Sequence, residues 1–453
     1  MPKFVVVGHP NKGKSSLVAT LAQNDQIGIS ALSGTTVKAT HYAMQASGTL
    51  CYELVDTPGF QRAEALLAIL REQADDAARR AEAITSWLAQ NGDDFPDERA
   101  LLAPVMDEDA ALIYVVDGAK PYRSHYEAEM EILRWTGRPR LAIINPINGN
   151  RYAEQWRSAL DQYFSLVVDF DPLLASFEQQ LALLRNFATL KQSWQQPLAH
   201  AIDALQQQRE DKVEAALNQL QSGLEELLNF RLSSPVGQQD EAAKQKLFTD
   251  YKQALLQHER ALRERLQASL SHYHYQQPEE QMLLDSSELF DPKQWQLWGL
   301  PRKQLTWLAA GSGGAAGAMV DLGLSAGTFM LGAVVGSVAS AGSVWLWGDK
   351  LAKVSSNSKR QQLTIGPVKN LAFSWVLLAR QLYLIDSLLG RNHARRDIPD
   401  LEQLAQAQQQ TRARLEALGQ KEKLQISLWL QGRKVPGNQQ KTLQILKTLL
   451  VYR

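Results

Sequence analysis

From Lys3 to about residue 170, short runs rich in β-branched and aromatic residues alternate with helical stretches. Phe4–Val7, His41–Ala46, Leu50–Val55, Ala111–Val116 and Leu141–Ile144 read as strands, and Ser165–Phe170 is a candidate sixth. Strands alternating with helices predict an α/β unit with a mostly parallel sheet. Beyond Pro172 the period lengthens. Leu198, Ile202 and Leu205 recur at helical spacing, as do Val213, Leu217, Leu220, Leu224 and Leu227. Ser233–Gln239, which contains Pro235 and Gly237, reads as a break between helices.

A third texture begins at Gln304. Up to Gly348 the only charged residue is Asp321, and glycine, alanine and serine dominate. Beyond Asp349 the chain returns to charged, glutamine-rich, helical sequence. These changes divide the 453 residues into a domain over 1–171, a helical region over 172–303, a glycine-rich apolar hairpin over 304–348 and a C-terminal helical region over 349–453. Gln61–Asp109 forms a further helical stretch inside the first domain, an insertion at about 62–109 that is rich in alanine and acidic on balance, read either as a solvated helical insertion or as a partner-binding element.

Composition narrows the partners. The 48 basic and 48 acidic residues give a formal net charge of +0, so the global electrostatic footprint of a nucleic-acid binder is missing. The single cysteine, Cys51, lies in an apolar run, as expected of a small core residue in a reducing compartment. The chain enters a strand at Lys3, leaving no room for a cleavable leader, and the expected location is the cytoplasm.

The chemistry lies near the start. Gly8-His9-Pro10-Asn11-Lys12-Gly13-Lys14-Ser15 fits the pattern G-x-x-x-x-G-K-[ST], between a hydrophobic strand and a helix beginning near Ser16. Backbone N–H groups and the positive helix end cradle phosphate oxygens, Lys14 supplies a cation, and the Ser15 hydroxyl suits Mg²⁺. Asp56-Thr57-Pro58-Gly59 follows the strand Leu50–Val55, placing Asp56 to hold Mg²⁺ through water and the Gly59 amide to sense a γ-phosphate. Gly34-Thr35-Thr36 lies between these motifs, and Thr36 is the residue expected to reach the metal.

These motifs together resemble the Era/TrmE-like branch of the translation-factor-related GTPases, over roughly the first 170 residues. The chain is also similar to bacterial members with an uncharacterised helical C-terminal domain. The resemblance implies a P-loop G domain, GTP and GDP as ligands, Mg²⁺ as cofactor, and a switch between two loop states. It implies nucleotide binding by Gly8, Asn11, Lys12, Gly13, Lys14, Ser15, Ser16, Asp56, Gly59, Asn145 and Asn148. Lys14, Thr36 and Gly59 act in catalysis, with Ser15, Thr36 and Asp56 on Mg²⁺. In potassium-stimulated members an asparagine at the position of Asn11 helps hold the ion, so Asn11 is either a K⁺ ligand or a brace for the loop.

The sequence departs from the family in two places. Phe60 follows Gly59 where Ras-type enzymes place a water-orienting glutamine, which predicts slow intrinsic hydrolysis by another device. Gln61, one residue on, would point elsewhere in extended geometry. The guanine-reading N-K-x-D reads Asn145-Pro146-Ile147-Asn148. An aspartate accepts both hydrogen bonds from the guanine edge, whereas an asparagine amide accepts on one atom only, so strict guanine choice is in question.

The apolar segment admits two readings. Leu322–Trp347 exceeds the ~20 residues that span a bilayer. Gly313/Gly317, Gly323/Gly327 and Gly332/Gly336 form G-x-x-x-G pairs, and tryptophans flank the run. A hairpin turning near Asp321 would keep both basic flanks on the cytoplasmic side and take membrane lipid or a membrane protein as partner. The other reading is a buried helix pair in a soluble regulatory or assembly GTPase, or an interface between copies. Phe373–Leu389, with Arg380 and Asp386, is too charged for a span and is expected to pack against other helices.

Overall fold

The structure is a computed structural model. It describes residues 1–23, 38–46, 48–74, 76–90, 94–147, 149–235, 241–270, 289–290, 352–357, 362–392, 395, 401–432 and 437–450. The loop bearing Thr36, the side chain and backbone of Asn148, and the whole of 304–348 lie outside these residues. The described chain forms two compact units, Met1–Asp211 with Gly390–Arg396, and Lys212–Leu389 with Asp397–Tyr452.

The first unit is built on strands β1 (Lys3–Val7), β2 (Thr40–Ala46), β3 (Thr49–Asp56), β4 (Ala110–Asp117), β5 (Arg140–Asn145) and β6 (Leu166–Asp169). They form one six-stranded sheet in the order β2-β3-β1-β4-β5-β6. Only the β2–β3 pair is antiparallel. Successive side chains of a strand point to opposite faces, and here both faces are apolar. Val5, Val7, Leu112, Tyr114, Ala142 and Ile144 join one core, whereas Phe4, Val6, Ile113, Val115, Leu141 and Ile143 join another. Burial on both sides explains why the central strands read as continuous hydrophobic runs and not as alternation.

Helices cover each face. On the first lie α2 (Ala63–Gln73), α3 (Arg80–Ala89) and α4 (Pro96–Val105), followed by α5 (His125–Trp135) and α6 (Ala153–Leu160). The expected insertion is therefore α2 to α4, joining β3 to β4. Its apolar residues Leu66, Leu70, Ile84, Trp87, Leu101 and Leu102 are all buried in the sheet's own core. On the second face lie α1 (Lys14–Leu21), α7 (Phe177–Leu190) and the start of α8 (Gln195–Asn229). Phe187 packs on Phe4 with ring centroids 4.4 Å apart, and Leu181, Leu184, Leu198 and Ile202 share that core. The first unit consequently extends past residue 171 to Asp211, because helices beyond Pro172 are needed to cover the sheet.

The second unit is mainly helical, with one addition that the helical period concealed. Strands β7 (Leu232–Pro235), β8 (Ala352–Asn357) and β9 (Gln362–Val368) form a three-stranded antiparallel sheet in the order β7-β9-β8. β7 occupies the first half of the predicted break at Ser233–Gln239. Its four residues are too short and too polar to show a strand period. Helices α9 (Glu241–Ser269), α10 (Leu371–Leu389), α11 (Leu401–Ala417), α12 (Gln420–Leu430) and α13 (Asn438–Leu449) complete the described part.

Helix α10 is its centre. By length and composition it could cross a membrane, yet 78% of its most apolar window is buried inside the protein. It packs on α9, α11 and α12, and its two charges are matched there. Arg380 donates through Nε and a terminal nitrogen to the two oxygens of Glu259, at 2.8 and 3.3 Å. The Gln381 amide adds a third donor at 3.0 Å. Arg414 of α11 forks onto both Asp386 oxygens at 3.0 and 3.2 Å.

Removing one partner from a buried ion pair leaves an uncompensated charge at a cost of about 3–5 kcal/mol. Glu259→Ala should lower stability by about that amount in urea unfolding. Glu226→Ala, at an exposed pair with Arg265, should cost no more than about 1 kcal/mol. Equal costs for the two substitutions would contradict the burial argument.

Candidate nucleotide site

The turn after β1 is shaped by left-handed residues. Gly8, Asn11 and Gly13 have φ of 136°, 59° and 89°, and asparagine tolerates that region better than most residues with a Cβ. Backbone also passes very close here. A Cβ on Gly8 would lie 2.7 Å from the Val115 carbonyl oxygen, and one on Gly13 would lie 2.2 Å from the Asn145 amide nitrogen. Left-handed residues among right-handed ones turn successive N–H groups toward one point, a concavity suited to an anion. Helix α1 begins directly afterwards. Its N-cap, Gly13, supplies no side-chain bond, and its first turn carries no acid, so no local carboxylate competes for that end.

Lys14 lies buried at the start of α1 and donates to the carbonyl oxygens of Gly8 and His9 at 3.2 and 3.1 Å. Desolvation lowers its pKa to about 8, opposed chiefly by the Asp56 carboxylate. The Ser15 hydroxyl donates to Asp56 Oδ2 at 2.6 Å. Asp56 sits at the end of β3, in register with Val6 of β1, which brings two motifs separated by 41 residues into contact. Ser16 is half-buried in the same first turn, and Asn11 is exposed on the loop.

The turn after β3 is held from several sides. The buried Thr57 hydroxyl donates to the Val6 carbonyl at 2.7 Å. Gly59 lies against Pro10, since a Cβ there would meet Pro10 N and Cδ at 2.5 Å. Asn145, at the end of β5, donates its amide to the Lys12 carbonyl at 3.0 Å. Lys12 points its buried ammonium at Asp117, 3.8 Å away, and at the face of Tyr126. Burial lowers its pKa, with Asp117 opposing. Gly8, Lys12, Gly13, Lys14, Ser15, Asp56, Gly59 and Asn145 thus converge on one loop. Thr36 and Asn148 lie outside the described residues.

Several partners were not visible in the sequence. His9 shares a hydrogen bond with Glu129 of α5 at 2.9 Å, and the other Glu129 oxygen accepts from the Tyr114 hydroxyl at 2.8 Å. Burial next to Glu129 pushes the Tyr114 phenol well above its ordinary pKa. The loop after β6 is tied from both ends of the chain. The Pro172 carbonyl accepts from the Thr20 hydroxyl at 2.6 Å and from the Asn392 amide at 3.1 Å. Asn392 in turn accepts from Gln180 at 2.7 Å. On the other flank, the fully buried Glu98 of α4 accepts the N–H groups of Gln61 and Arg62 at 2.8 and 2.6 Å. Each is a single polar residue at a long sequence separation, which no spacing rule marks.

A hydroxyl and a carboxylate side by side beneath a cationic loop are hard oxygen donors, the set that Mg²⁺ takes alongside phosphate oxygens. Ser15 and Asp56 therefore fit that ion. Among the described residues there is no cluster of three or more His, Cys, Asp or Glu side chains able to hold a metal. Two protein oxygens completed by phosphate and water remain consistent with this, because Mg²⁺ keeps much of its hydration.

Residues 3–146 match the family described as "50S ribosome-binding GTPase". Residues 157–449 match the family described as "Domain of unknown function (DUF3482)". The tRNA modification GTPase MnmE of Blochmanniella floridana is 42% identical over 60 residues, which is 13% of this chain and 12% of that protein. GTPase Der of Trichormus variabilis is 27% identical over 165 residues, 33% of this chain and 35% of the other. The chain thus spans only a minor part of the curated relatives it matches. Era in complex with MgGDPNP and nucleotides 1506–1542 of 16S ribosomal RNA aligns at 16% identity over 42% of this chain and 56% of that one, with a TM-score of 0.28. NFeoB from S. thermophilus bound to GDP.AlF4⁻ and K⁺ aligns at 15% identity over 59% and 90%, with a TM-score of 0.25. Likenesses at those scores add nothing to the fold established by the sheet order. With a GTPase family over the strands and loops of the site, and the second family over more than half of the 453 residues, the chain belongs to the bacterial Era-like P-loop GTPases that carry a C-terminal domain of unknown function.

Proposed function

We propose that this protein binds GTP with Mg²⁺ and hydrolyses it to GDP and phosphate, using its first unit as a nucleotide-dependent switch. The observation that carries this reading is the contact of Ser15 with Asp56 beneath a glycine-shaped loop closed by Lys14. In this role the loop amides and Lys14 hold the β- and γ-phosphates. Mg²⁺, when bound to Ser15 and Asp56, supplies charge neutralisation at those phosphates. Thr36 completes that arrangement from the preceding loop, and the Gly59 amide registers the γ-phosphate. Asn145 braces the loop, and in this proposal Asn148 reads the guanine edge and Asn11 is a K⁺ ligand.

The apolar stretch 304–348 leads us to propose a cytoplasmic protein held at the inner face of the cell membrane. Uninterrupted apolar length, G-x-x-x-G pairs and flanking tryptophans support that placement. One observation favours the alternative of a soluble regulatory or assembly GTPase. Helix α10 passes the same length and composition test, yet it is a buried core helix. A nucleic-acid partner, as in the Era complex with ribosomal RNA, has less support, because the chain carries no net positive charge.

The nucleotide reading is tested by affinity and turnover with GTP, ATP and XTP. GTP should bind best, and Lys14→Ala should abolish binding of all three. Asn148→Asp should raise guanine preference by at least about tenfold, on the scale of one added hydrogen bond to a charged group. KCl should support faster turnover than NaCl; equal rates would remove the ion from Asn11.

Lys14 gives the binding a pH dependence. In the protein alone its ammonium gives up a proton near pH 8, because burial disfavours the charged form. Phosphate oxygens favour that form and raise its pKa, so binding above about pH 8 takes up a proton. Affinity should be level below that pH and fall above it, by at most about tenfold per unit. Equal triphosphate affinity at about pH 7 and pH 9.5 would refute this assignment.

For the membrane, carbonate washing of isolated membranes should leave the protein in the pellet. Release into the wash would favour the soluble reading.

A further inference from the structure

Helix α2 starts immediately after the γ-phosphate-sensing turn, and its own sequence does not cap it. Its N-cap residue is Arg62, which makes no side-chain cap bond. Helix N-termini ordinarily obtain a cap from a serine, threonine, aspartate or asparagine at that position. Here the acceptor comes from 36 residues further along the chain, where Glu98 takes both the Gln61 and Arg62 N–H groups on one oxygen. The carboxylate is 1% exposed, so these charge-assisted bonds are shielded from water.

A second contact fastens the same place. The Arg62 guanidinium lies 4.0 Å over the Phe95 ring. Phe95 is the N-cap of α4 and has a left-handed φ of 57°, a conformation costly for an aromatic residue and therefore one imposed by its surroundings. Arg99, one turn on, donates to the carbonyl oxygens of Asp94, Trp87 and Leu88, which fixes α4 to the end of α3. On the other side of the turn, Gly59 presses on Pro10 of the phosphate loop and Phe60 is buried. Gly59–Arg62 is therefore gripped between the phosphate loop and α4.

We infer that Glu98 is a positioning residue for GTP hydrolysis, holding Gly59 and Phe60 at the distance from the phosphate loop at which the Gly59 amide meets the γ-phosphate. This rests on the GTPase reading given above. It also gives α3 and α4 a task within the site: they are the fixed body to which the sensing turn is clipped. The grip supplies the order that a residue tethered only by a flexible turn would lack. An enzyme without a water-orienting glutamine after its D-x-x-G glycine depends the more on that order.

The test uses full-length protein. Single-turnover GTP hydrolysis, and affinities for GDP and a non-hydrolysable GTP analogue, are measured for wild type and for Glu98→Ala, Glu98→Asp and Glu98→Gln. Alanine and aspartate should lower the hydrolysis rate by about tenfold or more and erase the preference for the analogue over GDP. GDP affinity should stay within about twofold, since GDP has no γ-phosphate to sense. Glutamine, whose amide oxygen still accepts, should recover most of the rate. Should the alanine variant fail to fold, aspartate carries the test, because it keeps the charge and only withdraws the oxygen by one methylene. A fall in melting temperature with unchanged rate and analogue preference per folded molecule would overturn the inference and leave Glu98 a plain helix cap. A wild type that hydrolyses no GTP would instead defeat the functional reading, and this inference with it.

Discussion

Close backbone approach around Gly8, Gly13 and Gly59 is the constraint on which the first unit depends. At each, a Cβ would fall within 2.7 Å of a neighbouring atom: a β4 carbonyl, the Asn145 amide and the Pro10 ring. Those neighbours belong to β4, to β5 and to the phosphate loop itself. The glycines thus let three strand ends and two turns meet at one spot. Parallel strands put all their C-terminal ends on one edge of the sheet, which is where a crevice for a ligand forms in an open α/β fold. The all-parallel arrangement of β3, β1, β4, β5 and β6 is therefore what brings Asp56, Asp117 and Asn145 to the same loop.

Legibility in the sequence follows from the same physics. Residues whose place is set by local geometry were readable. Gly8, Gly13, Lys14 and Ser15 sit in one turn, and Asp56 ends a strand whose period is plain. The sheet strands were readable because burial on both faces makes them long apolar runs. What escaped were contacts between distant segments: Glu98 on Gln61, Glu129 on His9, Asn392 on Pro172. A single buried carboxylate or amide looks like any surface residue until its partner is known. The sheet of the second unit escaped for a different reason. β7 is a four-residue strand between long helices, and its partners lie more than a hundred residues further on.

Helix α10 shows how composition alone misleads in the second unit. Its apolar length satisfies a membrane test, but Arg380 and Asp386 each find a partner in a neighbouring helix. Burying an ion pair contributes little net stability over a hydrophobic pair of the same size, yet it penalises any packing that separates the partners. The buried Arg380–Glu259 pair and the partly buried Arg414–Asp386 pair together fix which helices meet α10 and in what register. That is a stronger statement about α10 than its hydropathy.

Charge placement in the phosphate loop divides the work of recognition. Lys12 and Lys14 are both buried, and desolvation lowers the pKa of each. Lys12 has Asp117 beside it, whereas the bonds made by Lys14 run to backbone carbonyls, with Asp56 opposing the desolvation only from nearby. A buried ammonium held by neutral acceptors is the group that gains most from an arriving anion, because the anion restores what burial removed. Lys12 gains less, being matched already. The two lysines of one motif therefore differ: Lys12 helps to hold the loop to β4 through Asp117, and Lys14 is the one that the proposed function gives to the ligand. On the reading proposed above, phosphate recognition rests on Lys14 and the loop amides, so it does not depend on whether Asn148 reads the base as well as an aspartate would.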